Sequence, residues 1–169
     1  MLDEHSKPLG LPLILAALPE HHHLFREISA NPFLMETGLS LNPAELPIDE
    51  LRQRAWQIVE PKYQACLAAL SNDFAIAKSN SRGSDDLMQV GKAAVTGRVA
   101  TLLIEFDLQI GGRLDSSTGQ IETADLSDPQ VDDILDDLGE LVVKMGGKVV
   151  VVPKEQMPGS TGLAGIYRY

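Results

Sequence analysis

The stretch that decides the fold of this 169-residue chain is residues 146–169, GGKVVVVPKEQMPGSTGLAGIYRY. Its two glycines predict the end of a helix, because glycine readily adopts the left-handed conformation that follows a last helical turn. The four valines predict a strand buried on both faces, and the segment rich in Pro and Gly predicts a loop. Residues 163–169 predict a second apolar strand, so this terminus completes a β-sheet.

The composition indicates a folded, acidic protein. Hydrophobic residues make up 44% of the chain, which is enough for a core, and the net charge is −10. A broad nucleic-acid surface needs clustered Lys and Arg, so this charge argues against one. The single cysteine, Cys66, excludes an intrachain disulfide and fits a reducing compartment. The N-terminus has no secretory pattern, and no apolar run approaches a membrane span, so we expect a cytoplasmic protein.

Upstream, helical patterns alternate with apolar runs. The sequence predicts a strand at 11–18, a helix at 19–29, and a linker at 31–47 with an extended piece near 39–41. It then predicts a long helix that Pro61 kinks or breaks near Glu60, a helix capped by Ser84 and ended by Gly97, and an interior strand at 99–106. Turns at Gly111–Gly112 and 116–119, around a weak extended segment, precede a helix from Ser127 to Met145. Ser127 and Gln130 form a capping-box pattern at its start, and Pro129 lies in its first turn. Helices alternating with buried strands predict a three-layer α-β-α sandwich with a mixed sheet.

Three segments carry a resemblance to a known family: Ser84-Asp85-Asp86-Leu87, Gly97-Arg98-Val99-Ala100-Thr101-Leu102, and residues 146–169. Together they resemble the C-terminal region of the bacterial archaeo-eukaryotic release factor family, whose members are similar to pelota and to class-one release factors. The likeness runs from about residue 11 and is densest after residue 84. It implies the same sandwich, as in the pelota C-terminal domain, and a role near translation. It also implies that residues 1–46 are the remnant of a preceding middle domain plus a linker, with the sandwich at 47–169.

The resemblance does not bring a catalytic motif with it. Release factors of this kind use a Gly-Gly-Gln loop to place water at the peptidyl-tRNA ester. The Gly-Gly pairs of this chain are followed instead by Arg113 and by Lys148. We therefore expect no peptidyl-tRNA hydrolysis, no catalytic residue, and no cofactor or metal.

Four other features invite a functional interpretation, and each is better explained structurally. His21, His22 and His23 are adjacent on a helix and point in different directions, so a polar face is favoured over a metal site. Cys66 lies on an apolar helical stripe, which predicts a buried thiol. Trp56 lies on the first long helix and is expected to pack, although it would also suit an interface. The acidic row is expected to be a solvated helix face, with docking on a basic partner as the alternative; it consists of Asp125, Asp128, Asp132, Asp133, Asp136, Asp137 and Glu140.

The candidate site is the loop at 153–162 between the two final strands. Its polar or flexible side chains are Lys154, Glu155, Gln156, Met157, Ser160 and Thr161. Loops at strand ends in α/β sheets often bind ligands, although a connector pinned by Pro153 and Pro158 is the plainer alternative.

Three functions remain open at this point. The first is a non-catalytic release-factor-like domain that binds a protein partner, such as the ribosome or a translation factor. The second is a module that binds structured RNA through its sheet-edge loops, and the third is a hydrolase that uses the acidic row. Packing onto the main sandwich or pairing with a second copy would each cover the apolar run at 11–18.

Overall fold

The computed structural model describes residues 11–128 and 131–169, which form two compact units. One unit extends as far as Ala65, and the other is Cys66–Tyr169. The predicted division near residue 46 concerns ancestry and stays a prediction.

The first unit is built around a short parallel ladder. β1 (Ala16–Ala17) pairs with β2 (Leu39–Ser40), and α1 (Pro19–Ile28) lies between them in the chain. A 3₁₀ turn at Pro43–Glu45 follows. The predicted strand at 11–18 is therefore wrong in length, since only β1 and an isolated bridge between Leu13 and Leu34 form. The ladder is interrupted because the partner segment bends between residues 34 and 39.

The long helix α2 (Ile48–Ser79) continues through Pro61. The helix is therefore not broken near Glu60, and the predicted alternative, a kink at that point, stays a prediction. Proline removes one backbone hydrogen bond, and the helix on either side keeps its own. Cys66 is exposed on this helix, so the predicted burial of its thiol is also wrong.

The second unit is organised by a mixed four-stranded sheet. Its strands are β3 (Gly83–Ser84), β4 (Val99–Glu105), β8 (Lys148–Val152) and β9 (Leu163–Tyr167), in the spatial order β3-β9-β4-β8. β9 is antiparallel to both of its neighbours, whereas β8 is parallel to β4. The last strand of the chain is thus inserted between two earlier ones.

Both faces of this sheet are covered. Leu102 and Leu103 are consecutive on β4, so their side chains point to opposite faces, and both are buried. Leu102 packs with α3 (Leu87–Val95) and α4 (Ile134–Lys144) in the main core; that core consists of Val90, Ala93, Ala94, Val99, Leu102, Leu135, Leu138, Val142 and Leu163. Phe74 and Ala77 of α2 are buried outside this cluster. The predicted three-layer sandwich is confirmed.

A second, smaller sheet occupies the region predicted to hold two turns around a weak extended segment. β5 (Gly111–Leu114) lies between β6 (Ile121–Thr123) and β7 (Asp132–Asp133), so the predicted turn at Gly111–Gly112 is wrong. These glycines serve close packing. A Cβ on Gly111 would lie 2.5 Å from the backbone oxygen of Ala124, too close for any other residue type.

Both helices of the main core begin later than predicted. Asp86 caps α3, because its side chain accepts a hydrogen bond from the backbone N–H of Gln89 at 2.8 Å. Ser84 is not the cap, since its backbone pairs with Gly165 of β9. Asp133 caps α4, and the predicted start at Ser127 is wrong. The predicted first-turn Pro129 and capping partner Gln130 lie outside the described residues.

The valine strand β8 is an edge strand. Val152 is buried, but Val151 is half-exposed. The predicted burial on both faces is therefore wrong, because β8 has a neighbour, β4, on one side only within the described ranges.

Arg168 joins the ends of the two core helices. Glycine follows each helix, Gly97 after α3 and Gly146 after α4, and Gly146 has a φ of 76°, as predicted for a helix end. The Arg168 guanidinium donates to the carbonyl oxygens of Gly97 and Gly146, each at 2.6 Å. A cation at this position also suits the negative ends of both helix dipoles.

Replacing Arg168 with alanine is expected to destabilise the second unit by about 1–2 kcal/mol, because two charge-assisted hydrogen bonds are lost at an exposed site. Arg168→Lys retains the charge but not the two-pronged geometry, so it should lie between the alanine variant and the parent. Urea unfolding at pH 7 measures both. An alanine variant as stable as the parent would contradict the assigned role.

Candidate partner-binding loop

The loop at 153–162 crosses the carboxyl end of β4. β8 enters it parallel to β4, and β9 leaves it antiparallel to β4, so both of its ends lie beside the last residues of that strand. Two hydrogen bonds fasten these ends. Glu105 donates its backbone N–H to the carbonyl of Gly162 at 2.9 Å, and Phe106 donates to that of Val152 at 2.8 Å.

The first half of the loop is a 3₁₀ turn at Lys154–Gln156. The backbone N–H of Gln156 donates to the carbonyl of Pro153 at 2.9 Å. Lys154 and Glu155 are exposed on this turn, whereas Gln156 and Met157 are partly buried. The turn thus presents one cation and one anion to solvent.

The second half of the loop is anchored to the start of α3. The Thr161 hydroxyl donates to the backbone carbonyl of Asp85 at 2.6 Å. The Asp85 carboxylate in turn accepts two hydrogen bonds from the Lys78 ammonium, at 2.7 and 2.8 Å. Of the six predicted binding residues, Thr161 therefore has a structural role, and Ser160 remains exposed beside it.

Gly162 is required where the loop re-enters the sheet. Its φ is +80°, a conformation that side chains disfavour. A Cβ at this position would also collide with the side chain of Leu108. Together with the Thr161 anchor, this glycine holds the loop in one conformation over the end of β4.

The Lys78–Asp85 pair is the principal electrostatic feature beneath the loop. The hydrogen bond from Lys78 lowers the pKa of Asp85 below its ordinary value. Pro158 and Phe74 line a cavity of about 330 Å³ next to this pair, between the loop and the carboxyl-terminal part of α2. The loop is thus fastened on one side by the hydrogen bond from Thr161 to Asp85, whose carboxylate Lys78 binds, and on the other by the sheet.

The other features have the following positions. His22 is buried, and its Nε2 lies 3.0 Å from the carbonyl oxygen of Ala17 and 3.2 Å from that of Leu39. The histidine run is therefore not wholly a polar face, because His22 connects α1 to β1 and β2.

Among the residues described here, His, Cys, Asp and Glu side chains form no group able to hold a metal ion. Trp56 is partly exposed, with its ring centroid 5.7 Å from that of Tyr63.

The acidic row is divided between capping and solvent. Asp133 uses one oxygen to accept from the backbone N–H groups of Leu135 and Ile110. Asp136 and Glu140 are exposed on α4, as a solvated face requires. Burial raises the pKa of Asp137, and the nearby charges of Asp132, Asp136, Glu140 and Asp133 raise it further.

Comparison with solved structures shows the fold. The chain is similar in fold to the C-terminal domain of peptide chain release factor from Methanosarcina mazei, at 21% identity and a TM-score of 0.57. That match covers 76% of this chain and 96% of the other. Archaeal pelota, in a model of ribosome-bound pelota and ABCE1, matches at 21% identity and a TM-score of 0.58 over 99% of this chain. This chain spans about half of pelota, namely 46% of its length.

The family follows from the sequence. Residues 1–98 match the model of bacterial archaeo-eukaryotic release factor family 3, and the chain belongs to this family. The match includes the Ser84–Leu87 segment and ends before residues 146–169. The family model therefore does not extend over most of the region after residue 84, where the likeness is expected to be densest. No curated protein matches the sequence. In the described ranges, no helix is long and apolar enough to cross a membrane.

Asp85→Asn is expected to lower stability at pH 7 by about 0.5–1 kcal/mol, since it removes the charge that pairs with the half-exposed Lys78. The folded pKa of Asp85 is depressed, so its contribution is present above the ordinary aspartate pKa and is lost as the pH falls through the folded value. Urea unfolding of parent and variant at pH 7 and pH 3 should show the difference shrinking at pH 3. A difference independent of pH would contradict this account.

Asp137→Asn should show the opposite pH dependence. The folded pKa of Asp137 is raised, so its charge disfavours the folded state once the pH rises through that value. The stability of the variant relative to the parent should therefore increase between pH 3 and pH 6. The same unfolding series measures it, and Asp85→Asn is the matched control because the chemical change is identical. Parallel pH profiles for the two variants would count against both assignments.

Proposed function

We propose that this chain is a non-catalytic, release-factor-like module that binds a protein partner in a ribosome-associated, cytoplasmic setting. The family membership carries this proposal, because residues 1–98 match a release factor family. The likeness of fold to ribosome-bound pelota supports the same setting. Residues 1–46 are, on this proposal, the remnant of a middle domain that precedes the sandwich at 47–169.

The contact surface is the loop at 153–162. Lys154, Glu155 and Ser160 are exposed on it, while Thr161 and Gly162 hold its backbone in place. A surface held in one conformation loses little entropy on binding, which favours recognition by a protein. The fixed ends of this loop and its exposed polar side chains support its assignment as the contact surface.

Two observations support binding without catalysis. The Gly-Gly pair before Arg113 lies in β5, and the pair before Lys148 ends α4, so neither forms a presented loop. All four histidines occur by residue 23, which leaves the second unit without an imidazole base.

The partner is a protein surface rather than RNA. At a net charge of −10, approach to a phosphate backbone is electrostatically unfavourable. A protein surface need not be negatively charged as a phosphate backbone is. The exposed Lys154 and Glu155 suit the polar rim of a protein interface.

The test is recovery of partners by the tagged full chain from an extract of the source organism at physiological salt, after nuclease treatment. Ribosomal proteins or translation factors should be enriched at least tenfold, and the chain should co-sediment with ribosomes. Lys154→Ala with Glu155→Ala should reduce this enrichment about tenfold without changing the net charge.

The matched control is Lys92→Ala with Glu122→Ala, another charge-neutral pair of exposed residues in the second unit. It should bind like the parent. Absence of ribosomal proteins and translation factors would refute the proposed setting. Enrichment that is lost after nuclease treatment would show that the chain binds RNA rather than a protein. Equal losses of binding in both double variants would refute the loop as the contact surface.

A further inference from the structure

A groove of about 570 Å³ runs along the open edge of the main sheet, separate from the loop described above. It lies between the end of β4, the helix α4 and the edge strand β8. Ile104, Gly139 and Val149 form its floor. We call it the edge groove.

The edge groove exposes three large apolar side chains. Phe106, Val143 and Val151 all line it, and their relative exposures are 62%, 58% and 52%. Exposed apolar side chains are ordinary when scattered, but a contiguous set in a concavity marks an interaction site.

The backbone of β8 is available along the same groove. The carbonyl of Val152 accepts from Phe106 N–H, so Val152 faces β4. Backbone groups alternate in direction along a strand, and those of Val149 and Val151 therefore point away from β4. In the described part of the chain, no other strand pairs with β8. An extended peptide is able to satisfy these groups by adding a strand.

The rim of the edge groove is acidic. Its charged lining residues are Glu105, Asp107, Asp133, Asp136 and Glu140, and the lining includes no Lys or Arg. Glu140 has a neutralising neighbour in Lys144 at 2.9 Å, but both side chains are two-thirds exposed, so this pair is weak. The field at the groove thus favours a cationic occupant.

We propose that the edge groove binds an extended, basic segment of a partner protein, which adds a strand to β8 and inserts an apolar side chain beside Val151. A second copy of this chain is disfavoured as the occupant, because two such rims would face each other across the interface. The groove and the loop at 153–162 share no lining residue, so this proposal and the proposed function fail separately.

The experiment uses the full chain and a fluorescent peptide in which alternating valines and threonines are flanked by paired lysines. The peptide should bind with an affinity that falls as salt is raised. Replacing its lysines with glutamates should abolish binding, and N-methylation of alternate amides should weaken binding at least tenfold, since these amides cannot donate to β8. Equal binding of the lysine and glutamate peptides, or of the methylated and parent peptides, would overturn the proposal.

Variants of the chain locate the site. Val151→Lys should weaken peptide binding at least tenfold, whereas Met88→Lys, a control at an exposed apolar residue of α3, should not. Asp107→Asn with Asp136→Asn should weaken binding and reduce its salt dependence, while the charge-matched Asp73→Asn with Glu122→Gln should leave both unchanged. Circular dichroism and thermal unfolding establish that each variant is folded.

Two results would exclude this occupant. Equal effects of the groove variants and their controls would show non-specific attraction to an acidic protein. A dimer that Val151→Lys dissociates, detected by light scattering coupled to size exclusion, would assign the groove to a second copy instead.

Discussion

The pairing of β9 with β4 is the constraint on which the second unit depends. β9 is the last strand in the chain, yet it lies between β3 and β4 and contributes Leu163 to the main core. Its position draws the loop at 153–162 across the end of β4 and brings Arg168 to the ends of both core helices. Among the described residues, the same arrangement leaves β8 with one neighbouring strand, β4. The path of the loop, the contacts of Arg168 with the two helix ends and the unpaired edge of β8 thus all follow from the position of β9.

Charge and apolar surface are distributed unevenly around this frame. The loop presents one lysine and one glutamate over an anchored backbone, whereas the edge groove combines half-exposed valines with five carboxylates. On the two proposals, the surfaces would suit different contacts, one polar and held in one conformation, the other apolar with electrostatic selection for a basic segment. A module that binds without catalysis is able to use both at once.

The predictions from sequence succeeded where burial alone decided the outcome. Continuous apolar runs correctly indicated β4 and β9, because strands inside a two-sided sheet have no solvent-facing side chains. The candidate loop was located correctly between two strands, although its binding role stays a prediction. What the sequence did not indicate was that Thr161 anchors to Asp85, a residue 76 positions away. Contacts at such separation have no local signature.

Two of the failures share a cause, which is competition between local and distant partners. Ser84 has the right chemistry to cap a helix, but its backbone is committed to β9, and Asp86 takes the cap instead. Asp133 is preferred as the start of α4 because its carboxylate also binds the N–H of Ile110.

By itself the sequence determined the acidic charge, the apolar strands, the glycine at the end of α4 and membership in the release factor family. Only the tertiary structure decided which strand lies at the edge of the sheet, and hence which valines remain exposed. The physical reason is that a strand's residues define how much apolar surface it carries, whereas its neighbours in the sheet define how much of that surface is covered.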